Sequence, residues 1–538
     1  HQERSEVSAD STVADGRFSY LREMSTQANV SQSGVVGPPI VRLPEDLLLR
    51  IFLLGKELED APLRGFRQYR SNRRRRFPTS IAQTCTRWRS LAINSPLLWN
   101  RIVITSPKSF DYASVFLERS SRATLIEIEV DTVQYAFAVG RDELAARGAL
   151  FSASYFELRS MKDEPKLVKQ ILDFLTEKGA DPSRWVELSF RVASLEPLYT
   201  VFEFLSSTNS RLDHLRELAL VNYRGQGADY EKESHHEQSE TFLFCSPPPV
   251  VHTIRVIGTD DHFLFAQKYI SQFSNLTTLD LACIGMNVPS LRCIRSAIAH
   301  SPRLETLALN TKAVYTTPGF PAWNSLDEGL EKTKINLPHL RKLSFLDLGC
   351  ADWGVNVLKM IDAPNLEIFA LILSAPGATG RMDPIASYIA YGTTNVDGDS
   401  ESKKLPPYRS IFPALKHLTL IACFADSLPV HALLRSLNTV TRVDWLVAIR
   451  TCNPPSFDSL FAIPGIWPNL EHLRIAGVPA DQLIKTINLL IQVGAPLKTM
   501  KTLNWQTFNT NEQAQISQLC KRVGSWTGEV SYDDPDQD

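Results

Sequence analysis

A short leucine pattern recurs along most of this chain and constrains its fold more than any other feature. The pattern reads L-x-x-L-x-L, often follows Pro, Ser or Asn, and most copies begin 25–36 residues after the previous one. The copies begin at Leu125, Trp185, Leu215, Val251, Leu276, Leu304, Leu340, Leu366, Leu415, Val440 and Leu470. Alternating apolar residues predict a strand with one buried side. A single unit cannot bury that side alone, so the regular spacing is typical of a stacked solenoid.

The segments between the copies favour helices. Residues 290–300 place Leu291, Ile294 and Ile298 on one helical face, and residues 480–493 do the same with Leu483, Ile487, Leu490 and Ile491. An α/β sheet of ordinary strand–helix units, wound in both directions, also alternates strands and helices. Repetition of one strand motif about ten times favours the solenoid over that alternative.

This part of the chain resembles the leucine-rich-repeat family, in which a Cys or polar residue often follows the strand, as at Cys423 and Cys283. The resemblance implies a curved array of strand-plus-helix repeats over residues 110–527. A wide gap predicts one degenerate copy near residues 155–158. Long segments after four strands, at 224–249, 311–336, 376–410 and 452–468, are expected to line one rim of the array.

The beginning of the chain carries a different pattern. Residues 43–54 read L-P-E-D-L-L-L-R-I-F-L-L, with Pro and two acids at a helix start and a broad apolar face behind them. Residues 81–102 predict a second helix around Trp88, which ends at Pro96 and is followed by Leu97, Leu98 and Trp99.

Together these segments resemble the F-box domain, with its L-P-x-E/D-L-L-x-x-I-F start, its C-x-x-W-R-x-L-A helix and its P-x-L-W end. The resemblance covers residues 40–104, interrupted by a Gly/Arg-rich insertion at 56–79, and implies docking onto the Skp-type adaptor of a cullin–RING ubiquitin ligase. The implied adaptor-binding residues are Leu43, Pro44, Leu47, Leu48, Ile51, Phe52, Cys85, Trp88, Leu91, Leu97 and Trp99. A unit this small needs cover for so many apolar side chains, and the alternative is that they cap the first repeat.

Charge is distributed unevenly along the chain. Residues 40–104 hold 13 Lys and Arg against five Asp and Glu, although the net charge of the whole chain is −2. Seven of those arginines lie in residues 64–76, ending in Arg73, Arg74, Arg75 and Arg76. The run has three open interpretations, namely a solvated loop, a nuclear-import signal and a nucleic-acid contact. Residues 1–39 predict a disordered leader, and residues 528–538 an acidic tail.

The sequence contains no recognisable catalytic or metal-binding motif. His235, His236 and Glu237 would need His at position 240 to make a zinc motif, where Glu stands instead. Eight scattered cysteines without a CxxC pair do not suggest a disulfide scaffold or a zinc ribbon. No apolar run reaches the ~18–20 residues of a membrane span. We therefore expect no enzyme activity, no cofactor and no metal, reduced thiols, and a location in the cytoplasm, the nucleus or both.

The expected function is substrate recognition for an SCF-type ubiquitin ligase, with the F-box docking the adaptor and the repeats binding an unidentified protein. The alternatives are an F-box scaffold that acts outside a ligase and a nucleic-acid-binding repeat protein that uses the Arg run. Residues between the leucines should point away from the core. The candidate substrate-binding residues are Asp280, Thr306, Asn310, Lys342, Ser344, His417, His472 and Arg474. Their partly basic character would suit an acidic or phosphorylated protein segment.

Overall fold

The fold is seen in a computed structural model. It describes residues 39–60, 77–133, 135, 163–207, 212–222, 250–258, 274–282, 291–310, 333–348, 351–373, 382–393, 409–421, 428–446, 466–492, 494–495, 497–502, 505, 508–520 and 522–525. Among these residues, no helix combines the length and the apolar character that a membrane span requires.

One parallel sheet organises most of the described chain. Its 14 strands follow each other in chain order, and two shorter strands, β8 and β10, form a separate parallel pair. The strands are β1 Arg101–Ile104, β2 Ile126–Asp131, β3 Trp185–Val192, β4 Glu217–Asn222, β5 Thr253–Ile257, β6 Thr278–Ala282, β7 Thr306–Asn310, β8 Ile335–Asn336, β9 Lys342–Leu348, β10 Ile361–Asp362, β11 Ile368–Leu373, β12 His417–Ile421, β13 Arg442–Leu446, β14 His472–Ala476, β15 Thr499–Thr502 and β16 Arg522–Ser525. The order never reverses, whereas a doubly wound sheet reverses it once.

Twelve α-helices lie in the described residues. They are α1 Glu45–Asp60, α2 Phe77–Thr84, α3 Thr86–Ile93, α4 Phe110–Arg119, α5 Glu164–Glu177, α6 Glu196–Ser207, α7 Leu291–Ala299, α8 Ala351–Met360, α9 Asp383–Tyr391, α10 Leu428–Ser436, α11 Ala480–Gln492 and α12 Thr510–Leu519. Helices that follow each other in the chain pack side by side, as α7 does with α8 and α9 with α10. The molecule is therefore a mixed α/β fold built on a parallel sheet.

Every copy of the leucine pattern found in the sequence becomes a strand of the main sheet. The fourth and sixth residues of each copy occupy adjacent register positions, so that Leu279 pairs with Leu307 and Leu281 with Leu309. These two rows of apolar side chains are buried together with apolar residues of the helices, which places the core on one side of the sheet. The pattern predicted these strands because each has one side in the core.

Three strands escaped the sequence analysis because their copies are degenerate. Strand β1 follows the spacing Trp99, Ile102, Ile104, while β15 has Leu497, Met500, Thr502. Strand β16 carries a single partly buried apolar residue, Val523. Strand β1 pairs with β2. The sheet therefore begins at residue 101, inside the range 40–104 that was expected to form the head.

The expected copy near residues 155–158 lies outside the described residues. In the part of the chain that the structure describes, strand β2 hydrogen-bonds directly to β3. Helix α5 lies in the long segment between β2 and β3, and it packs against α6.

Both helices predicted between the copies form, as α7 and α11. Of the residues expected on their buried faces, Ile491 is exposed and the other six are buried. The segment at 376–410, expected to be a rim loop, contains helix α9. Ile385 and Ile389 of that helix are buried in the core, which explains why a helix forms there.

The first three helices form the head, and their buried side chains belong to the same hydrophobic core as those of the sheet. Helix α1 continues past Lys56 to Asp60 and α2 begins at Phe77, so the expected insertion narrows to residues 61–76, which are not described. Arg87 of α3 donates a hydrogen bond to the backbone oxygen of Leu43 at 2.6 Å, which ties the start of α1 to α3.

Candidate functional site

An apolar stripe runs along the outer side of helix α1. Four of its side chains are strongly exposed: Leu47 and Ile51 at 44%, Leu54 at 52% and Leu58 at 74%. Their spacing of three or four residues places them on one helical face. Leu97, which follows α3, is also exposed. We call Leu47, Ile51, Leu54 and Leu58 the α1 stripe.

The opposite side of α1 faces the interior. Leu48 and Phe52 are buried, and the Phe52 ring meets that of Trp88 edge to face at 5.0 Å between ring centroids. Trp99 is also buried, and its Nε1 donates to the backbone oxygen of Ala92 at 2.7 Å. The expectation that Leu48, Phe52 and Trp99 form part of a docking surface is therefore wrong, because their own chain covers them.

The other expected docking residues fall into two groups. Leu47, Ile51 and Leu97 are exposed apolar side chains, and Pro44 and Cys85 are exposed as well. Cys85 caps helix α3, with its Sγ accepting from the Trp88 amide at 3.5 Å. Leu43, Trp88 and Leu91 are half-buried against the core. Leu54 and Leu58 were missed, although their spacing from Ile51 continues the same helical face.

A second candidate site covers the side of the main sheet that faces away from the core, which we call the polar face. Alternation along each strand puts at least two residues per strand on it, and the parallel register aligns the first two of each strand in two rows. The first row is Arg101, Glu127, Glu187, Glu217, Thr253, Thr278, Thr306, Lys342, Ile368, His417, Arg442, His472 and Thr499. The second row is Val103, Glu129, Ser189, Ala219, Arg255, Asp280, Ala308, Ser344, Ala370, Thr419, Asp444, Arg474 and Lys501.

The eight residues expected to bind substrate all lie in strands of the main sheet, and seven of them belong to these two rows. Asn310 lies further along β7, opposite Leu346. Thr306, Lys342 and His472 are half-buried, as is Asp280. Ser344, His417 and Arg474 are buried, because neighbouring strands crowd side chains of the same row. Ser344 is 2% exposed, which makes it a poor ligand contact.

At β2–β4 the polar face is acidic. Arg101 forms ion pairs with Glu127 at 3.3 Å and with Glu129 at 3.1 Å. Burial raises the pKa of the neighbouring Glu187 to about 7, and repulsion from Glu127, Glu217 and Glu129 adds to the shift while Arg101 opposes it. A small open cleft lies over this region, and Arg101, Glu187 and Arg255 are among the residues that line it. We call Glu127, Glu129, Glu187 and Glu217 the acidic cluster.

At β12–β15 the polar face is basic and is organised around one carboxylate. Asp444 is 1% exposed and receives His417 Nε2 at 2.9 Å on Oδ2 and Arg442 Nε at 3.4 Å on Oδ1. Arg474 lies 3.9 Å from Oδ2. Burial alone would raise the pKa of Asp444, but the hydrogen bond from His417 and the charges around it lower that pKa overall. We call Arg442, His472, Arg474 and Lys501 the basic cluster.

Sequence analysis missed three members of this arrangement. Arg442 and Asp444 occupy the positions between the apolar residues of a weak copy, and Lys501 does so in the unrecognised copy of β15. Reading those positions in every recognised copy would have found Arg442 and Asp444, whereas Lys501 required the copy at β15 to be recognised first. Their grouping needed the strand order, since it depends on which strands are neighbours.

Other expected features lie outside the described residues or form no site. Arg73, Arg74, Arg75 and Arg76 belong to residues 61–76, which are not described. In the part of the chain that is described, His, Cys, Asp and Glu form no group able to hold a metal ion.

Comparison with protein-family models finds none that matches this chain, and comparison with curated proteins finds no match either.

Proposed function

We propose that this chain is the substrate-recognition subunit of an SCF-type cullin–RING ubiquitin ligase. The head acts as an F-box that docks the Skp-type adaptor, and the sheet with its helices acts as a leucine-rich-repeat array that holds a protein substrate. The chain contributes binding surfaces, while the ligase core supplies the chemistry.

The α1 stripe is the observation that carries the proposal. An isolated exposed leucine is ordinary on a protein surface, but four large apolar side chains aligned on one helix favour a protein interface. Leu43 and Pro44 directly precede the helix that carries them, at the point where the sequence resembles the F-box start. Each side chain that a partner covers fully would contribute about 1.5–3 kcal/mol.

The repeat assignment is supported by the single-file strand order and by the constant register of the apolar rows. Each unit buries its apolar residues against the units before and after it, as expected of a repeat array. The polar face then offers extended rows of mostly polar side chains, which suit a protein ligand better than a small molecule.

The packing between the head and the sheet of this chain favours a fixed orientation of the two parts. Trp99 packs its ring edge to face against Phe116 of α4, with 4.9 Å between centroids, and Arg119 lies over the same ring. Since Leu48, Phe52 and Trp99 belong to the same core as the strands, the head cannot rotate freely relative to the polar face. A fixed orientation between docking surface and substrate surface is what a ligase receptor requires.

Co-purification tests the proposal. The full chain is expressed with a Skp-type adaptor and a cullin, and both should be recovered with it. Recovery of the adaptor without the cullin would favour the alternative of an F-box scaffold outside a ligase. Recovery of neither would overturn the proposal.

A further inference from the structure

The cleft on the polar face lies where two neighbouring strands carry small side chains. Ser189 of β3 and Ala219 of β4 are register partners in the second row, and both line the cleft. Beside them in the first row, Glu187 and Glu217 are register partners of each other and line it as well. Small side chains next to longer acidic ones leave a recess in the sheet surface, with two carboxyl groups at its side.

The hydroxyl group of Ser189 is placed to meet a ligand in the cleft. Ser189 is 7% exposed, and within the part of the chain that the structure describes its side chain forms no hydrogen bond. Buried hydroxyl groups usually have a partner, because an unpaired polar group in the interior is costly. This hydroxyl lines the cleft, where it can donate to or accept from a group that enters.

The two carboxyl groups beside Ser189 are also uncommitted. Among the described residues, the side chains of Glu187 and Glu217 form no hydrogen bond and no ion pair. Glu129 lines the same cleft but differs from them, because Arg101 approaches it at 3.1 Å. Glu187 and Glu217 can therefore accept from a new group without losing an existing hydrogen bond.

The acids of this region outnumber its arginines. On the polar face of β1–β5, three arginines stand against five carboxyl groups. They are Arg101, Arg191 and Arg255 on the one hand, and Glu127, Glu129, Asp131, Glu187 and Glu217 on the other. Arg101 pairs with Glu127 and Glu129, and Arg191 lies 3.9 Å from Asp131. These ion pairs involve acids other than Glu187 and Glu217, and the region as a whole carries more negative than positive charge.

The protonation of Glu187 reflects these surroundings. Burial is the main cause that raises its pKa to about 7, Arg101 opposes the rise, and repulsion from the other members of the acidic cluster adds to it. A cation placed against Glu187 would favour the ionised carboxylate. Near neutral pH, a cationic ligand would therefore bind with release of a proton.

The size of the cleft and its acceptors fit the ammonium group of a lysine. That group is compact, sits at the end of a flexible stem and has three N–H donors. Two carboxyl groups on adjacent strands and one hydroxyl group can accept all three. A guanidinium group is a wider planar fork, which suits two oxygens of the same carboxylate better than acceptors spread over two strands.

We propose that the cleft at β3 and β4 binds a lysine side chain of another protein, with Glu187 and Glu217 holding its ammonium group and Ser189 accepting the third N–H. The identification of that protein as a ubiquitination substrate rests on the function proposed above. The binding site itself does not, and its test uses the full chain without the adaptor.

The test measures fluorescence anisotropy of labelled octapeptides, acetylated at the N-terminus, with the purified full chain. One peptide alternates Lys and Ser, a second has acetyl-lysine in place of every Lys, and a third has Arg in place of every Lys. The lysine peptide should bind about tenfold tighter than the acetyl-lysine peptide and roughly threefold tighter than the arginine peptide. Equal affinity of the lysine and acetyl-lysine peptides would overturn the proposal, and an arginine peptide that binds as tightly would overturn the assignment to lysine.

Two variants and one matched control locate the site. Glu217→Gln should weaken binding of the lysine peptide about tenfold, and Ser189→Ala roughly threefold. Glu305→Gln makes the same charge change at an exposed position directly before β7 and should change affinity less than about twofold. Circular dichroism verifies that each variant is folded. Equal effects of Glu217→Gln and Glu305→Gln would place the binding elsewhere and contradict the proposal.

The pH dependence of binding gives a second readout. The ammonium group of lysine stays protonated at pH 8, whereas Glu187 ionises near pH 7. Affinity for the lysine peptide should therefore rise roughly threefold or more from pH 6 to pH 8. The charged groups that act on Glu187 are Arg101 of β1, Glu127 and Glu129 of β2 and Glu217 of β4. Glu187→Gln should abolish the rise, and a rise of the same size in that variant would contradict the role given to Glu187.

Adaptor recovery separates this site from the ligase function. Failure of the lysine peptide to bind, with the adaptor and cullin still recovered, would remove this site and leave the proposed function standing. Binding of the lysine peptide without recovery of the adaptor would support the site and overturn the proposed function.

Discussion

The Nε2 atom of His417 lies 2.9 Å from Oδ2 of Asp444, which belongs to the next strand of the sheet. The pair connects β12 to β13 on the polar face, and Arg442 approaches the other carboxylate oxygen from within β13. A nearly inaccessible carboxylate surrounded by cationic groups makes this part of the sheet dependent on a single charge.

Replacing that carboxylate should destabilise the fold. Asp444→Asn leaves Arg442 and Arg474 next to a neutral amide, and we expect a loss of roughly 3 kcal/mol in the free energy of unfolding. Urea denaturation at pH 7 measures it. The control Asp173→Asn makes the same change at an exposed position of α5 and should cost less than about 0.5 kcal/mol. Equal losses in both variants would contradict the role given to Asp444.

The contribution of Asp444 should also depend on pH. Its pKa is lower in the folded state than the ordinary value of 3.8, so the stabilisation is present above that value and is lost as pH falls through the lower folded-state pKa. The difference in unfolding free energy between the wild type and Asp444→Asn should therefore shrink below about pH 4. A difference that stays constant down to pH 2 would show that ionisation is not its source.

Glu187 should produce the opposite pH dependence. Its folded-state pKa of about 7 lies above the ordinary 4.5, so its contribution is greatest at low pH and is lost as pH rises from 4.5 through 7. Glu187→Gln should match the wild type near pH 4 and exceed its stability by about 1–3 kcal/mol at pH 8. Thermal unfolding across this range measures the effect, with Glu203→Gln at an exposed position of α6 as control. If the stabilities of the wild type and Glu187→Gln differed by the same amount at every pH from 4 to 8, the raised pKa of Glu187 would be contradicted.

The two sides of helix α1 should respond differently to a new charge. Ile51→Asp lies on the α1 stripe and should change the unfolding free energy by less than about 0.5 kcal/mol. Phe52→Asp places a carboxylate in the core against Trp88 and should cost more than about 3 kcal/mol. Only Ile51→Asp therefore tests docking, and it should abolish recovery of the Skp-type adaptor. Leu428→Asp, at a leucine that is 83% exposed outside the stripe, is the control and should retain the adaptor.

Gly55 should be required for the packing of α1 on α2. A Cβ atom at this position would overlap the ring of Phe77, so the two helices approach closely only because the side chain is missing. Gly55→Ala should destabilise the head by about 1–3 kcal/mol, although alanine is the better helix former. In Gly55→Ala/Phe77→Ala the two effects should not add, since the first clash is absent once the ring is removed. Additive losses, measured by urea denaturation, would contradict this contact.

The strands were far more predictable than the site they carry. Repeated Leu pairs such as Leu279 and Leu281 reveal a strand because burial on one side imposes a local period of two. The burial of Trp99 and Phe52 was not predictable in this way, since both patterns suit a docking surface and a core equally well. Arg442, Arg474 and Lys501 are separated by 32 and 27 residues, and only the strand order brings them together.

The single-file order of the sheet has a consequence for how the chain is made. Each strand of the main sheet after β1 pairs with one that has already been synthesised, so it does not have to wait for a partner from later in translation. The nascent chain can therefore add unit upon unit as it leaves the ribosome, with the head completed first and the basic end last. During synthesis the growing edge always exposes an unpaired strand, which the next unit covers. Among the strands that the structure describes, that edge is β16.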